Sequence, residues 1–371
     1  MSEICWIEDG EARSARWRSA NGSAPPGRVV VADDRISADR AYRFVREGVA
    51  LLWRGDYHNA RLLLSAVARR VERRSRGGDV RALPGAFHAQ REARSRQATL
   101  LGRLLVPLDQ DYSVPLRRAP DVRVACAEVY GPAAGPSVVS LRELLGIVGA
   151  HEWRRKGVEV PALGGRIHPH YGVFSPVRGE YVDLVARAPL VSRSRAFDIG
   201  TGTGVLAAVL ARRGVERVVA TDRDPRAVAC ARDNLRRLGL AERVEVMRVD
   251  VFPPGRAPLV VCNPPWIPAE PVSPLDHAVY DPGGRMLRGF LDGLSAHLEP
   301  DGEGWLILSD LAERLMLRTR AELLAGFAAA GLRVLGRLET RARHPRAREE
   351  TDALHAARAA EVTSLWRLGR V

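Results

Sequence analysis

Glycine stands at every second position of the segment Gly200-Thr201-Gly202-Thr203-Gly204, and this segment constrains the fold more than any other feature. An apolar run at 196–199 precedes it, and a helical pattern begins at Val205. Glycines at this spacing allow tight turns and let a ligand approach the backbone closely. The first N–H groups of a helix have no partner within the helix and face such a ligand. The segment therefore predicts a strand–loop–helix unit that binds a nucleotide-like cofactor.

From residue 196 onwards, apolar runs typical of strands alternate with runs typical of helices, as in a mainly parallel sheet. Pro225 suits the first turn of one helix and Gly239 its end. We therefore expect an α/β domain with a seven-stranded sheet. The pattern predicts strands at 196–199, 218–221, 244–247, 258–262, 304–308, 334–338 and 362–368, and helices at 205–213, 225–238, 286–297 and 320–330.

Acidic residues follow the second and third predicted strands. Asp222 is placed to accept both hydrogen bonds of a ribose diol, and Asp250 to accept from an adenine amino group. Asp198 either holds the amino end of the cofactor or orders the glycine loop. Asp224 suits a helix cap, because a proline follows it. The loop lacks the Gly-Lys-Ser/Thr ending of a nucleoside-triphosphate loop, so we expect a different, ribose-bearing cofactor.

The sequence Asn263-Pro264-Pro265-Trp266 directly follows the fourth predicted strand. An sp2 amino nitrogen is a poor nucleophile until acceptors fix its N–H groups and direct its lone pair at an electrophile. The Asn263 side-chain oxygen and the Pro264 carbonyl can supply those acceptors, on a backbone that two prolines stiffen. Trp266 offers a flat face on which a planar target can stack. These four residues are therefore the predicted catalytic residues.

In these motifs the chain resembles the class I S-adenosylmethionine-dependent methyltransferases, in the branch with Asn/Asp-Pro-Pro-aromatic that methylates amino or amide nitrogens. The resemblance covers about residues 165–310. It implies a Rossmann-like methyltransferase domain, S-adenosylmethionine as cofactor, S-adenosylhomocysteine as product and no metal. The cofactor-binding residues that it implies are Asp198, Gly200, Thr201, Gly202, Gly204, Asp222, Arg223, Asp250, Val251 and Asn263.

Within that branch, two groups of relatives share further segments with the chain. The segment 280–287 is similar to the one after the catalytic motif of release-factor glutamine methyltransferases. The segment Gly172-Val173-Phe174-Ser175 looks like the connector of ribosomal-RNA guanine-N2 methyltransferases. Trp266 departs from both, since they usually have tyrosine or phenylalanine there. The substrate therefore stays open between a protein amide and an RNA base.

We expect three parts in the chain. Residues 1–150 are predicted to form a mostly helical N-terminal domain that serves in substrate recognition, 151–195 a connector with a lead-in helix, and 196–371 the catalytic domain. Predicted helices of the first part include one capped by Ser37 that runs through Leu52. The sequence of residues 1–150 matches neither group of relatives.

The net charge is +13, although Lys156 is the only lysine and the basic residues are spread along the chain. This charge is compatible with nucleic acid as a partner, and the segment 341–348 is the most clustered basic stretch; a solvated loop explains it equally well. Apolar runs long enough for a membrane span and a secretory signal are both missing, which favours a cytoplasmic protein with reduced cysteines. His168 and His170 lack a third ligand at a recognisable spacing, so we expect no metal site.

The sequence therefore predicts an N-methyltransferase acting on a translation-related macromolecule, either the glutamine amide of a protein or the exocyclic amine of an RNA base. The alternatives are a small-molecule N-methyltransferase and, with less support, a non-catalytic protein that binds the cofactor. The oligomeric state is not readable from the sequence.

Overall fold

The computed structural model describes residues 2–75, 83, 85–177, 179–271, 276, 279–341 and 354–371. The chain divides into two compact units, Met1–Glu152 and Trp153–Val371. The division falls within helix α5 (Leu141–Lys156), close to the predicted end of the first part. The predicted connector thus belongs largely to the second unit. It forms the hairpin of β7 (Val158–Val160) and β8 (Gly165–Ile167), followed by helix α6 (Glu180–Arg187).

The second unit is built on one seven-stranded sheet. Its strands are β9 (Arg195–Ile199), β10 (Arg217–Asp222), β11 (Val244–Arg248), β12 (Ala257–Cys262), β13 (Leu298–Ser309), β14 (Leu332–Arg341) and β15 (Val362–Arg370). Their spatial order is β11-β10-β9-β12-β13-β15-β14. The first five strands are parallel, and β15 and β14 are antiparallel to their neighbours. Each of the seven predicted strands is present, so the predicted mainly parallel sheet is confirmed.

Helices cover both faces of this sheet. They are α7 (Val205–Arg212), α8 (Pro225–Arg237), α9 (Arg285–His297), α10 (Leu311–Arg314), α11 (Arg320–Ala329) and α12 (His355–Ala359). Side chains of α6, α7 and α8 pack in the apolar cluster on one face, and those of α9 and α11 pack in the cluster on the other. Asp224 caps α8 as predicted, because its side chain accepts the Arg226 N–H at 2.8 Å.

The first unit contains a second sheet, so the prediction of a mostly helical domain is wrong. Its strands are β1 (Glu3–Glu8), β2 (Glu11–Arg18), β3 (Val29–Ala32), β4 (Ala50–Trp53), β5 (Leu104–Leu108) and β6 (Ser137–Ser140), in the order β1-β2-β6-β5-β4-β3. Its helices are α1 (Ala38–Arg46), α2 (Tyr57–Ser75), α3 (Gly85–Leu101) and α4 (Arg123–Tyr130), with α5 at its end. Residues of α1, α2 and α5 and of strands β4 and β5 share one apolar cluster.

The error has a specific physical cause. The first helix is capped by Ser37 as predicted but ends at Arg46, and Gly48 follows with a φ of 85°. The next apolar residues, including Leu52, belong to β4, which is buried throughout because each of its faces packs in an apolar cluster. A strand buried on both faces has a continuous apolar run that periodicity cannot distinguish from the face of a helix.

A buried asparagine of α8 holds the glycine loop and the segment before α6 together. The Asn234 amide nitrogen donates to the Thr203 carbonyl at 3.0 Å, and its oxygen accepts the His168 N–H at 2.7 Å. The His168 ring bonds to the Arg154 carbonyl, and the His170 ring lies 3.3 Å from an Asp233 oxygen. Both histidines therefore have protein partners that fix the connector.

Four further findings concern membrane spans, disulfides, metal ligands and the basic segment. The described residues contain no helix long and apolar enough to span a membrane. All four cysteines are free thiols. The described part of the chain also holds no group of three or more His, Cys, Asp or Glu residues placed to bind a metal ion. Residues 342–348 of the basic segment 341–348 lie outside the described residues.

We predict that Asn234→Ala lowers the free energy of unfolding by about 2–4 kcal/mol, because the substitution leaves the buried Thr203 carbonyl and the partly buried His168 N–H unpaired. Urea unfolding followed by tryptophan fluorescence measures this loss. Asn59→Ala, which removes an exposed hydrogen bond to Asp34, is the control and should change stability by about 0.5 kcal/mol or less. Equal losses in both variants would show that the buried position of Asn234 has no special effect.

Candidate active site

The predicted site residues meet at one edge of the seven-stranded sheet. In the parallel ladders, Ile199 of β9 pairs with Cys262 of β12 on one side and with Thr221 of β10 on the other. The chain therefore enters the glycine loop, the Asp222 segment and Asn263 at neighbouring strand ends. Ligands of open α/β sheets bind outside the carboxyl ends of the strands. The register places the two predicted functional motifs, glycine loop and Asn-Pro-Pro-Trp, next to each other.

Asp198 orders the glycine loop, which is one of the two roles predicted for it. Its side chain is 1% exposed, and Oδ2 accepts the Thr201 hydroxyl at 2.6 Å and the Ala207 N–H at 3.0 Å. Desolvation raises the pKa of this carboxyl to about 6, although both hydrogen bonds act in the opposite direction. The predicted contact of Asp198 with the amino end of the cofactor stays a prediction.

The three glycines of the loop have different surroundings. Gly204, with a φ of 82°, lies against α8, and an added Cβ would stand 3.2 Å from Ala231. Gly202, with a φ of 55°, has no atom within 4 Å of an added Cβ. An added Cβ at Gly200 would meet the Met286 methyl group at 2.3 Å. Gly204 thus permits close helix packing, whereas Gly202 leaves open space beside a bare backbone, as a bound nucleoside requires.

Asp222 is oriented by the loop that it follows. Its Oδ2 accepts the Gly202 N–H at 3.0 Å, and its Oδ1 accepts the Asp224 N–H at 2.9 Å. Burial raises the pKa of this carboxyl, and the two backbone hydrogen bonds partly offset that rise. A carboxylate oxygen has two acceptor sites, so each oxygen keeps one for a hydroxyl of a ribose. The geometry therefore fits the ribose contact predicted for Asp222.

The structure brings the remaining predicted cofactor residues to the same edge. Asp250 is exposed and pairs with Arg285 through contacts of 3.1 and 3.2 Å, which hold the pKa of the carboxyl below its usual value. The Val251 carbonyl accepts the Thr221 hydroxyl at 2.7 Å, and Arg223 is exposed. The adenine contact of Asp250 stays a prediction, and an adenine amino group would share this carboxylate with Arg285.

The Asn-Pro-Pro-Trp segment has a contact that the sequence did not predict. The indole N–H of Trp266 donates a hydrogen bond to Oδ1 of Asn263 at 2.8 Å. Pro264 is buried, and Trp266 is half-buried against the apolar clusters on both faces of the sheet. The tryptophan therefore packs at the sheet edge and contacts the predicted catalytic amide itself.

Sequence reasoning missed the residues that close the site from the side of α9. Asp281 is 5% exposed and accepts the N–H groups of Met286 and Leu287 at 3.0 and 3.1 Å, so it caps α9. This cap places Met286 over Gly200 and Arg285 beside Asp250. The similarity of segment 280–287 to a known family was the available signal, but it identified no single residue.

The chain matches known methyltransferases over this region. Residues 165–312 match the family model described as Methyltransferase small domain. A release factor glutamine methyltransferase of Cereibacter sphaeroides is 36% identical over 139 residues, which cover 34% of this chain and 50% of the relative. A ribosomal protein L11 methyltransferase of Geobacter metallireducens is 35% identical over 162 residues, covering 37% and 52%. The chain thus spans about half the length of these curated relatives.

Among solved structures, a SAM-dependent methyltransferase from Thiobacillus denitrificans in complex with S-adenosyl-L-homocysteine aligns with 16% identity and a TM-score of 0.37. The alignment covers 53% of this chain and 92% of that chain.

The strand order and the glycine loop of the second unit agree with the arrangement predicted for the S-adenosylmethionine-dependent methyltransferase class, and Asp222 is hydrogen-bonded to that loop. More particularly, the similarity to the Methyltransferase small domain falls on its residues 165–312. The predicted methyltransferase class is confirmed for these residues, and the surroundings of Gly202 and Asp222 fit the predicted cofactor, S-adenosylmethionine.

We predict that Asp198 makes the folded domain less stable as the pH rises through the range between 3.8 and about 6. In this range the folded carboxyl retains a proton that the unfolded chain has lost, so the free energy of unfolding falls with increasing pH. Relative to Asp198→Asn, the unmodified protein should lose about 3 kcal/mol between pH 3.5 and pH 7, since one pKa unit corresponds to about 1.4 kcal/mol. Urea unfolding across this pH range measures the difference, and parallel stability curves for the two proteins would contradict it.

Proposed function

We propose that the chain transfers a methyl group from S-adenosylmethionine to a planar amino or amide nitrogen. The observation that supports this proposal most is the position of Asn263-Pro264-Pro265-Trp266 at the end of β12, with Cys262 paired to Ile199 beside the glycine loop. Methyl transfer requires the acceptor nitrogen and the cofactor at one place, and the register puts the residues proposed for each at adjacent strand ends.

The chain's own residues bind and orient the two reactants. The bound cofactor supplies an electrophilic methyl carbon. Asp222 would accept the ribose hydroxyls, Asp250 would lie toward the adenine, and Asp198 with the glycine loop would receive the amino-acid part. Asn263 Oδ1 and the Pro264 carbonyl accept the N–H groups of the acceptor and direct its lone pair. No general base is needed during attack, because the nitrogen releases its proton more readily once it is cationic.

For the acceptor we propose a macromolecule of the translation machinery, and a protein in preference to an RNA. The curated relatives named above are a release factor glutamine methyltransferase and a ribosomal protein L11 methyltransferase. The net charge of +13 is compatible with an RNA acceptor as well, since arginine-rich surfaces bind phosphate. The first unit, which the family model does not cover, is the proposed site of acceptor recognition.

Incubation with methyl-labelled S-adenosylmethionine and separate ribosomal-protein, release-factor, RNA and small-molecule fractions tests the acceptor class. We expect label in a protein fraction, at a nitrogen. Label in RNA would select the exocyclic amine of a base, and label only in small molecules would assign a small-molecule N-methyltransferase. Binding of S-adenosylhomocysteine with no labelled product in any fraction would favour a non-catalytic protein that binds the cofactor.

We predict that Asn263→Ala lowers kcat for the labelled acceptor at least about 100-fold, the usual effect of removing one preorganised polar group from a catalytic site. The affinity for S-adenosylhomocysteine, measured by calorimetry, should change less than about threefold, because Asn263 is only one of the implied cofactor contacts and those of the glycine loop and Asp222 stay intact. Asn21→Ala, at an exposed position of the first unit, is the matched asparagine control. Full transfer by Asn263→Ala would remove Asn263 from the proposed mechanism.

We predict that Asp222→Ala weakens S-adenosylhomocysteine binding by about 10-fold or more, because two hydroxyl contacts to a carboxylate are lost. Asp224→Ala, which removes the neighbouring helix cap and no proposed ligand contact, controls for local structure. Calorimetry on both variants makes the comparison. Unchanged affinity in Asp222→Ala would exclude the ribose role.

A further inference from the structure

We propose that Trp266 is a positioning residue whose indole N–H fixes the orientation of the Asn263 side-chain amide, a role that rests on the proposed N-methyl transfer. The inference starts from the 2.8 Å hydrogen bond between Trp266 Nε1 and Asn263 Oδ1. The sequence alone had predicted a platform for stacking. The structure gives the indole a direct contact with the amide that accepts the substrate.

The chemistry of the two groups makes this contact directional. An indole N–H only donates, whereas an asparagine amide presents an accepting oxygen on one side and a donating NH2 group on the other. An amide turned by 180° would place its NH2 against the indole N–H, with two donors facing each other. Trp266 therefore selects the single orientation in which the position of Oδ1 is defined.

The proposed reaction needs that selection. The acceptor nitrogen also donates its N–H groups, so a reversed amide would repel the substrate in place of orienting it. Oδ1 has two acceptor sites, of which Trp266 occupies one and the substrate N–H takes the other. The Pro264 carbonyl remains for the second N–H of the acceptor.

The packing of the indole keeps this hydrogen bond in place. Trp266 contacts the apolar clusters on both faces of the sheet, and Pro264 and Pro265 stiffen the backbone between the two bonded residues. A ring held on both sides has little rotational freedom, and only part of it is exposed. These restraints favour an orienting role over that of a mobile stacking surface.

The main test is Trp266→Phe, which keeps an aromatic ring and removes the indole N–H. With the acceptor identified by the labelling experiment, we expect kcat to fall about 10-fold, the effect of one lost hydrogen bond made to an orienting group. KM for the acceptor and S-adenosylhomocysteine affinity should stay within about twofold. Trp305→Phe removes an indole hydrogen bond of 3.0 Å to the Glu303 carboxylate within β13 of the second unit and should leave kcat unchanged.

A double substitution separates orientation from stacking. If Trp266 acts through Asn263, the Asn263→Ala and Asn263→Ala/Trp266→Phe variants have the same kcat, because the indole no longer has an amide to orient. Independent, multiplicative losses would overturn the proposal. A raised KM with unchanged kcat in Trp266→Phe would also overturn it and assign the stacking role.

A third measurement needs no acceptor. The chain has seven tryptophans, so a proton–nitrogen correlation NMR spectrum holds up to seven indole N–H resonances. The resonance that disappears in Trp266→Phe is that of Trp266. We expect Asn263→Ala to move this resonance upfield and to leave the Trp305 resonance in place. An unmoved Trp266 resonance would contradict the hydrogen bond itself. Full transfer by Asn263→Ala contradicts the proposed function, so the two failures are distinguishable.

Discussion

The hydrogen bonds that Asp198 accepts determine the shape of the glycine loop. A carboxyl group buried at the end of β9 is costly unless its surroundings supply donors, and the Thr201 hydroxyl and Ala207 N–H both donate to Oδ2. These two bonds tie the start of the loop to the first turn of α7. Between them the glycines adopt positive φ angles that would strain other residues. The open backbone at Gly202 and the orientation of Asp222 both depend on this arrangement, since Gly202 donates to Asp222.

Parallel strand pairing then places this loop within the candidate active site. Because β9 is central, with β10 on one side and β12 on the other, three loops leave the sheet at the same edge. One contains the glycines, the second begins with Asp222 and the third contains Asn263. A shift of β12 by one residue would exchange its two buried faces and remove Asn263 from this position. The apolar clusters on both faces therefore fix the register on which the distance between the proposed donor and acceptor sites depends.

The sequence was sufficient for the second unit because its signals are local and agree with each other. Glycine spacing, prolines at helix starts and apolar runs all marked the same seven strands, and Asp224 could be assigned as a cap from the following proline alone. The first unit offered no such agreement. Buried β4 resembles a helix face in its composition, and β2 is mostly polar with no buried residue, so the hairpin that it forms with β1 has no clear apolar pattern. Long-range contacts decided the outcome there. The same limit applied within the site, where the pairing of Asp250 with Arg285 joins residues 35 positions apart.

The contact between Trp266 and Asn263 links the amide proposed for catalysis to the packing of the sheet. A tyrosine or phenylalanine at this position can stack but lacks an N–H at the indole position, so the amide orientation would depend on other partners. The indole contacts the cores on both faces of the sheet. A change in either core would therefore alter the orientation of the amide by moving the indole.

The hydrogen bond between Trp266 and Asn263 uses one acceptor site of Oδ1, which leaves a single site for the proposed substrate. An acceptor with two N–H groups then needs the Pro264 carbonyl for the second, whereas an acceptor with one N–H does not. The number of hydrogens on the acceptor nitrogen is thus the chemical property to which this arrangement of Asn263, Pro264 and Trp266 is most sensitive.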